Sequence, residues 1–150
     1  MKNLRKFIPN IITPEEAVIL YKRGSHFQMG EFPEIIDRIK KVIEENITPD
    51  IADWNKPSII RIENNIGGHK WHIDTGGDYG TKGHMMWCAY GASLLLVDDE
   101  DAGYLEYRDG TKLLPKEHFC GLSLHSSDIE HKVTENKTRR TLLIFTQRKL

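Results

Sequence analysis

The sequence lacks any apolar run approaching the ~20 residues that a membrane-spanning helix requires. It has two cysteines, Cys88 and Cys120, too few for a disulfide framework. Both sit in apolar runs, where a thiol serves as a small buried hydrophobe. No basic stripe or charged tail is present: Lys and Arg number 21, Asp and Glu 22, and the net charge is −1. Tight, salt-dependent binding along a nucleic-acid backbone is therefore not expected. Residues 1–6 are charged but are followed by no apolar segment, so they do not read as a signal peptide. A cytoplasmic protein with no membrane association is expected, and the sequons at Asn46 and Asn136 are then chance matches. Internal repeats and low-complexity stretches are also missing.

What is present fits one domain: 150 residues, 39% hydrophobic and 29% charged, enough to bury a real core. Thr13-Pro14-Glu15-Glu16 is a helix start. Thr13 caps, Pro14 suits the first helical position, and Glu16 completes a capping box; Gly24 is the natural stop. A second helix is predicted over 33–45, with Ile35, Ile36, Ile39, Val42 and Ile43 on one face. From residue 58 the pattern changes. Residues 58–64, 70–74, 85–97, 104–108, 119–124 and 139–147 read as strands, separated by turn signals such as Gly67-Gly68, Gly76-Gly77 and Asp109-Gly110. Helices followed by many short strands predict two facing antiparallel sheets in a sandwich or barrel, with the helices packed outside one sheet. The expected organisation is a single domain, with helical support over 1–57 and a β-rich core over 58–150.

The chemistry concentrates in that core. Alternate residues of a strand face the same way, so His72 and Asp74 in His72-Ile73-Asp74 would point together. Two imidazoles and one carboxylate form the facial set that holds non-haem Fe(II) with positions left open. His131, after the turn-like Ser126-Ser127-Asp128, suits the second imidazole, and His125 is its competitor. His69 is near enough to support the set. His84 and His118 flank apolar runs and are expected to face solvent, as is His26. Arg139 and Arg140 are adjacent on a strand, so one enters the interior. Arg139 shares its face with Thr141, and a guanidinium grips a carboxylate bidentately while a hydroxyl adds a further hydrogen bond.

Taken in order, Trp71-His72-Ile73-Asp74, Ala102-Gly103-Tyr104-Leu105-Glu106-Tyr107, Gly121-Leu122-Ser123-Leu124, His131-Lys132-Val133 and Arg139-Arg140-Thr141 resemble the Fe(II)/2-oxoglutarate-dependent dioxygenases, in particular the prolyl-hydroxylase-like branch. The resemblance covers about residues 58–145. It implies a double-stranded β-helix (jelly roll, cupin-like). It also implies His72, Asp74 and His131 as iron ligands, and Arg139 with Thr141 at the distal carboxylate of 2-oxoglutarate. O2 would be the oxidant and ascorbate a candidate reductant. Leu94-Leu95-Leu96 stands where some prolyl hydroxylases carry a tyrosine for 2-oxoglutarate, which makes Tyr90 the candidate for that contact. Trp71, Met86 and Tyr90 are candidates to line the pocket. The implied activity is hydroxylation of a protein or peptide side chain, with prolyl as one option. A nucleobase or nucleic-acid hydroxylase or demethylase is the alternative within the superfamily. A cupin-type metal enzyme or an inactive jelly-roll binding module is the alternative outside it.

Overall fold

The computed structural model describes residues 4–28, 30–56, 58–74 and 87–149. Helix α1 (Pro14–Arg23) begins with the capping box read from the sequence. Thr13 Oγ1 accepts from the Glu16 N–H, and the Glu16 carboxylate accepts from the Thr13 N–H. Gly24 ends the helix with positive φ, which a glycine adopts without steric cost. Helix α2 (Pro33–Asn46) buries Ile35, Ile36, Ile39 and Ile43, and Val42 packs half-buried beside them. Among the described residues no helix is long and apolar enough to cross a membrane.

The strands are β1 (Arg5–Ile8), β2 (Ile59–Asn64), β3 (His69–His72), β4 (Tyr90–Leu95), β5 (Leu105–Tyr107), β6 (Lys112–Leu113), β7 (Leu122–Ser126), β8 (His131–Val133) and β9 (Arg140–Thr146). A one-turn helix α3 (Pro115–His118) precedes β7. They form a five-stranded sheet, β1-β7-β4-β9-β2, and a four-stranded sheet, β3-β8-β5-β6. Every pairing between these strands is antiparallel. The architecture is the expected jelly roll with helices outside one sheet. The expected strand start at residue 85 and the Gly76-Gly77 separator lie outside the described residues. β1 was not foreseen, because Arg5-Lys6-Phe7-Ile8 carries no alternation; pairing with β7 makes it a strand. β6 and α3 were likewise too short to leave a periodic signal.

Register explains how this small domain accommodates both a core and a site. In the larger sheet Leu94 is opposite Leu122 and Leu142, and Ala92 is opposite Leu124 and Ile144. Ile60 and Ile62 continue that face on β2. All of them join the buried residues of α1 and α2 in one apolar cluster. The intervening positions form the other face: Gly91 opposite His125 and Phe145, Ser93 opposite Ser123 and Leu143, and Glu63 opposite Thr141. The main core therefore lies between sheet and helices, and the space between the two sheets holds a pocket lined by both polar and apolar side chains. A smaller cluster of Leu105, Tyr107 and Leu113 supports the second sheet.

Ile39 is fully buried at the centre of the helix face. Ile39→Ala should cost about 3 kcal/mol, within the range for deleting a buried aliphatic side chain. Val18→Ala, on the exposed side of α1, should change stability by less than ~0.5 kcal/mol. Urea denaturation of both variants checks this; equal effects would show that α2 is not packed on the sheet.

Candidate metal centre and anion pocket

Two short strands bring the imidazoles together. β3 and β8 pair so that His72 is directly opposite His131, with ring centroids 4.4 Å apart. Each ring is oriented by a backbone carbonyl. Nδ1–H of His72 donates to Lys70 O at 2.7 Å, and Nδ1–H of His131 donates to Ile129 O at 2.8 Å. Both Nε2 atoms are thereby turned toward the interior, the arrangement that fixes a metal-binding tautomer. Burial lowers the basicity of His72 and keeps its ring neutral.

Asp74 arrives differently from the sequence expectation. β3 closes at His72, so strand alternation does not carry Asp74 to the site. It lies in a turn whose N–H donates to Ser127 O at 3.0 Å. The side chain crosses to the larger sheet and rests over Gly91, where an added Cβ would stand 1.9 Å from Asp74 Oδ2. Burial alone would raise the Asp74 pKa. The two imidazoles outweigh it and hold the carboxyl below the usual carboxylate range. Its Oδ2 is 2.5 Å from His125 Nε2, and its Oδ1 is 3.2 Å from His131 Nε2. For His131, burial is the largest influence and lowers the pKa, but the bond to Asp74, its charge, the Ile129 carbonyl and Glu130 together raise it above the usual imidazole value.

Ligand atoms from His72, Asp74 and His131 all lie within 4.8 Å of one another. Two imidazole nitrogens and one carboxylate oxygen on one side of a pocket are a donor set that fits Fe(II). His125, the competing histidine, sits behind Asp74 on β7 and bonds the carboxylate oxygen that faces away from His131.

The same pocket, about 370 Å³, is also lined by Arg139, Thr141, Asn65 and Ser93 and by Arg61, Glu63, His69 and Lys70. Arg139 precedes β9 and is buried. Its Nη1 donates to Ala102 O at 3.3 Å, its Nη2 is 3.5 Å from His118 Nδ1, and its Nε has no partner among the described residues. No carboxylate lies against it among those residues, and burial lowers its pKa to about 10. A buried guanidinium with an idle N–H is suited to a ligand carboxylate. Arg140 points the other way and donates to Tyr21 O and Asn64 Oδ1. Thr141 Oγ1 donates to Asn65 Oδ1 at 2.9 Å.

Several expectations need correction. Tyr90 faces the helices: its hydroxyl donates to Asp50, and it belongs to the main core, because its neighbour Gly91 takes the interior position. Trp71 is not among the pocket-lining residues; it stacks under Arg108 and Lys132, 3.9 Å and 5.0 Å from the ring centroid. His118 is fully buried instead of solvent-facing, and burial beside Arg139 lowers its pKa to about 3. Met86 and His84 lie outside the described residues. Asn65, Tyr107, Gly91 and His118 were missed as site residues. Of these, only Gly91 had an indirect signal, the polar alternation Ser123-Leu124-His125 on β7, because Gly91 lies opposite His125 on that inward face.

No protein-family model matches the chain, and no curated protein matches it in sequence. Solved structures do match in fold. The viral collagen prolyl hydroxylase vCPH of Paramecium bursaria Chlorella virus-1, in its 2OG complex, is 16% identical with a TM-score of 0.68, and the alignment covers 97% of this chain and 96% of that one. A Pseudomonas putida prolyl-4-hydroxylase is 13% identical, TM-score 0.64, with 97% and 93% covered. HygX of Streptomyces hygroscopicus, with iron bound, is 11% identical, TM-score 0.54, with 97% and 82% covered. The chain therefore shares the jelly-roll fold of these proteins over nearly its whole length.

Gly91→Ala tests how the site is assembled. The Cβ would displace the Asp74 carboxylate, while alanine is tolerated in the strand itself. Co(II) affinity, read by isothermal titration, should fall by at least about tenfold, the scale on which disturbed ligand support acts, with little change in melting temperature. An unchanged affinity would show that Asp74 is not held over Gly91.

Proposed function

We propose that the protein is an Fe(II)- and 2-oxoglutarate-dependent dioxygenase that hydroxylates a protein or peptide side chain, with a prolyl residue the leading candidate. The observation that carries the proposal is the meeting, in one pocket, of the His72, Asp74 and His131 ligand atoms with a buried Arg139 whose Nε–H has no partner among the described residues. His72, Asp74 and His131 would hold the iron, and Arg139 the distal carboxylate of 2-oxoglutarate, with Thr141 and Asn65 beside it. Once bound, iron and 2-oxoglutarate together supply O2 activation coupled to oxidative decarboxylation, which gives succinate, CO2 and a hydroxylated product. The chain's own contribution is orientation and exclusion of water. Carbonyl-fixed imidazoles keep two lone pairs aimed inward, Asp74 stays anionic, and Ile73, Leu105, Val133, Leu143 and Phe145 add apolar surface to the pocket.

The peptide reading is supported by the folds matched, two of which are named as prolyl hydroxylases, and by the pocket rim. Arg61 pairs with Glu63 at 2.7 Å, and Asn65 Nδ2 donates to the same carboxylate at 3.2 Å. That rim mixes both signs of charge and does not form the basic track a phosphate backbone requires. A cupin-type enzyme without 2-oxoglutarate would leave the buried guanidinium of Arg139 without a purpose.

Fe(II)-dependent conversion of 2-oxoglutarate to succinate tests the proposal. Arg139→Ala should raise the apparent KM for 2-oxoglutarate at least about tenfold, one decade being about 1.4 kcal/mol, less than a single charge-assisted hydrogen bond contributes. Arg139→Lys should recover part of the loss, since a point charge lacks the fork, and Arg140→Ala should stay near wild type. Peptide substrates should gain ~16 Da, the oxygen atom that this chemistry transfers. Wild-type protein that makes no succinate with peptides or nucleic acids, or an unaltered KM in Arg139→Ala, would contradict the proposal.

A further inference from the structure

Behind the pocket wall lies a buried polar pair that the proposed reaction does not itself require. Tyr107 lies on β5 and His125 on β7, in different sheets. Tyr107 Oη is 3.4 Å from His125 Nδ1, and the rings meet edge to face at 6.1 Å. His125 Nε2 is 2.5 Å from Asp74 Oδ2. His125 and Tyr107 are buried, and so is Asp74. The direction of the bonds follows from the end groups. A carboxylate oxygen accepts, so Nε2 carries the imidazole hydrogen; Nδ1 is then the acceptor, and the phenol donates to it. The chain Tyr107 → His125 → Asp74 therefore spans both sheets. Arg5, on β1, lies over the Tyr107 ring at 4.5 Å and closes its outer side.

From this geometry we infer that His125 and Tyr107 are positioning residues for the metal carboxylate: His125, oriented by Tyr107, engages Asp74 Oδ2 and leaves Oδ1 to the ion. The inference rests on the metal site proposed above. Asp74 needs such support because it sits in a turn, and strand geometry does not fix its side chain. Gly91 provides room, but an unbonded carboxylate could rotate in that space or offer both oxygens at once. With Nε2–H of His125 on Oδ2, one rotamer is favoured, and Oδ1 stays on the side of His131 and His72. Tyr107 in turn selects the His125 tautomer that can donate. Outer hydrogen bonds of this kind affect metal affinity on the order of ten- to a hundredfold. Glutamine at position 125 can place an amide N–H near the position of Nε2, whereas phenylalanine keeps the ring volume and removes both nitrogens.

Co(II) titration of the metal-free full-length protein, read by visible absorption, tests the inference without turnover. His125→Phe should weaken Co(II) binding at least about tenfold and alter the absorption band, in a metal-free protein that still unfolds cooperatively but at a lower temperature, since Asp74 loses a buried partner. His125→Gln should recover most of the affinity, and Tyr107→Phe should fall between His125→Phe and wild type. Wild-type affinity in both His125→Phe and Tyr107→Phe would overturn the inference. If His125→Phe does not fold, Tyr107→Phe decides alone: an affinity within about twofold of wild type overturns it, and a larger loss supports it. Asp74→Ala separates this from the metal site itself. If Asp74→Ala binds Co(II) as wild type does, the site is wrong, and the supporting pair falls with it.

Discussion

The buried carboxylate of Asp74 is the constraint on which the rest of the site depends. A lone carboxylate between two sheets would be strongly disfavoured and would take up a proton. It remains ionised because His125 and His131 meet one oxygen each, at 2.5 Å and 3.2 Å. That balance draws in both sheets. His131 comes from the smaller one, and His125 and the gap at Gly91 come from the larger. An ion held by His131 Nε2 and Asp74 Oδ1 requires that nitrogen to be free of a proton, so metal affinity and the protonation of this pair are coupled.

The larger sheet makes this arrangement compatible with a stable domain. One face carries the leucines and isoleucines that pack against α1 and α2, and the other carries His125, Gly91, Ser93 and Thr141. Apolar burial and chemistry are separated by the pleat, so polar residues between the sheets do not interrupt the main core. Arg139 shows the cost of the polar side. It is desolvated, its two outer nitrogens meet only neutral acceptors, and its Nε–H has no partner among the described residues.

Much of this was legible in the sequence, and the gaps have physical reasons. Helices α1 and α2 were readable because a capping box and a 3.6-residue isoleucine period are local signals. The pairing of His72 with His131 was suggested by residue types in order, but their direct opposition depends on the β3 and β8 register. Asp74 was grouped with His72 by strand alternation, and its ligand atom does lie near that of His72, but a turn and a glycine gap bring it there instead of the pleat. Tyr90 was misplaced because Tyr90-Gly91-Ala92 does not reveal which neighbour faces inward; the side chain of Asp74 settles that from the other sheet. The burial of His118 and the Tyr107–His125 contact arise between distant segments, and no local pattern encodes them. His125 stood out as a histidine near the site, but its role behind Asp74 became visible only with the register of β7 against β4.

The most direct test is a crystal structure obtained without oxygen, with Fe(II) and 2-oxoglutarate both present. One ion should be bound by Nε2 of His72, Nε2 of His131 and Oδ1 of Asp74 at roughly 2.0–2.3 Å, the range for nitrogen and oxygen ligands of similar divalent ions. The distal carboxylate of 2-oxoglutarate should lie on Arg139, and His125 should remain on Oδ2. An ion bound by His125 in place of His131, or a 2-oxoglutarate carboxylate away from Arg139, would contradict the account.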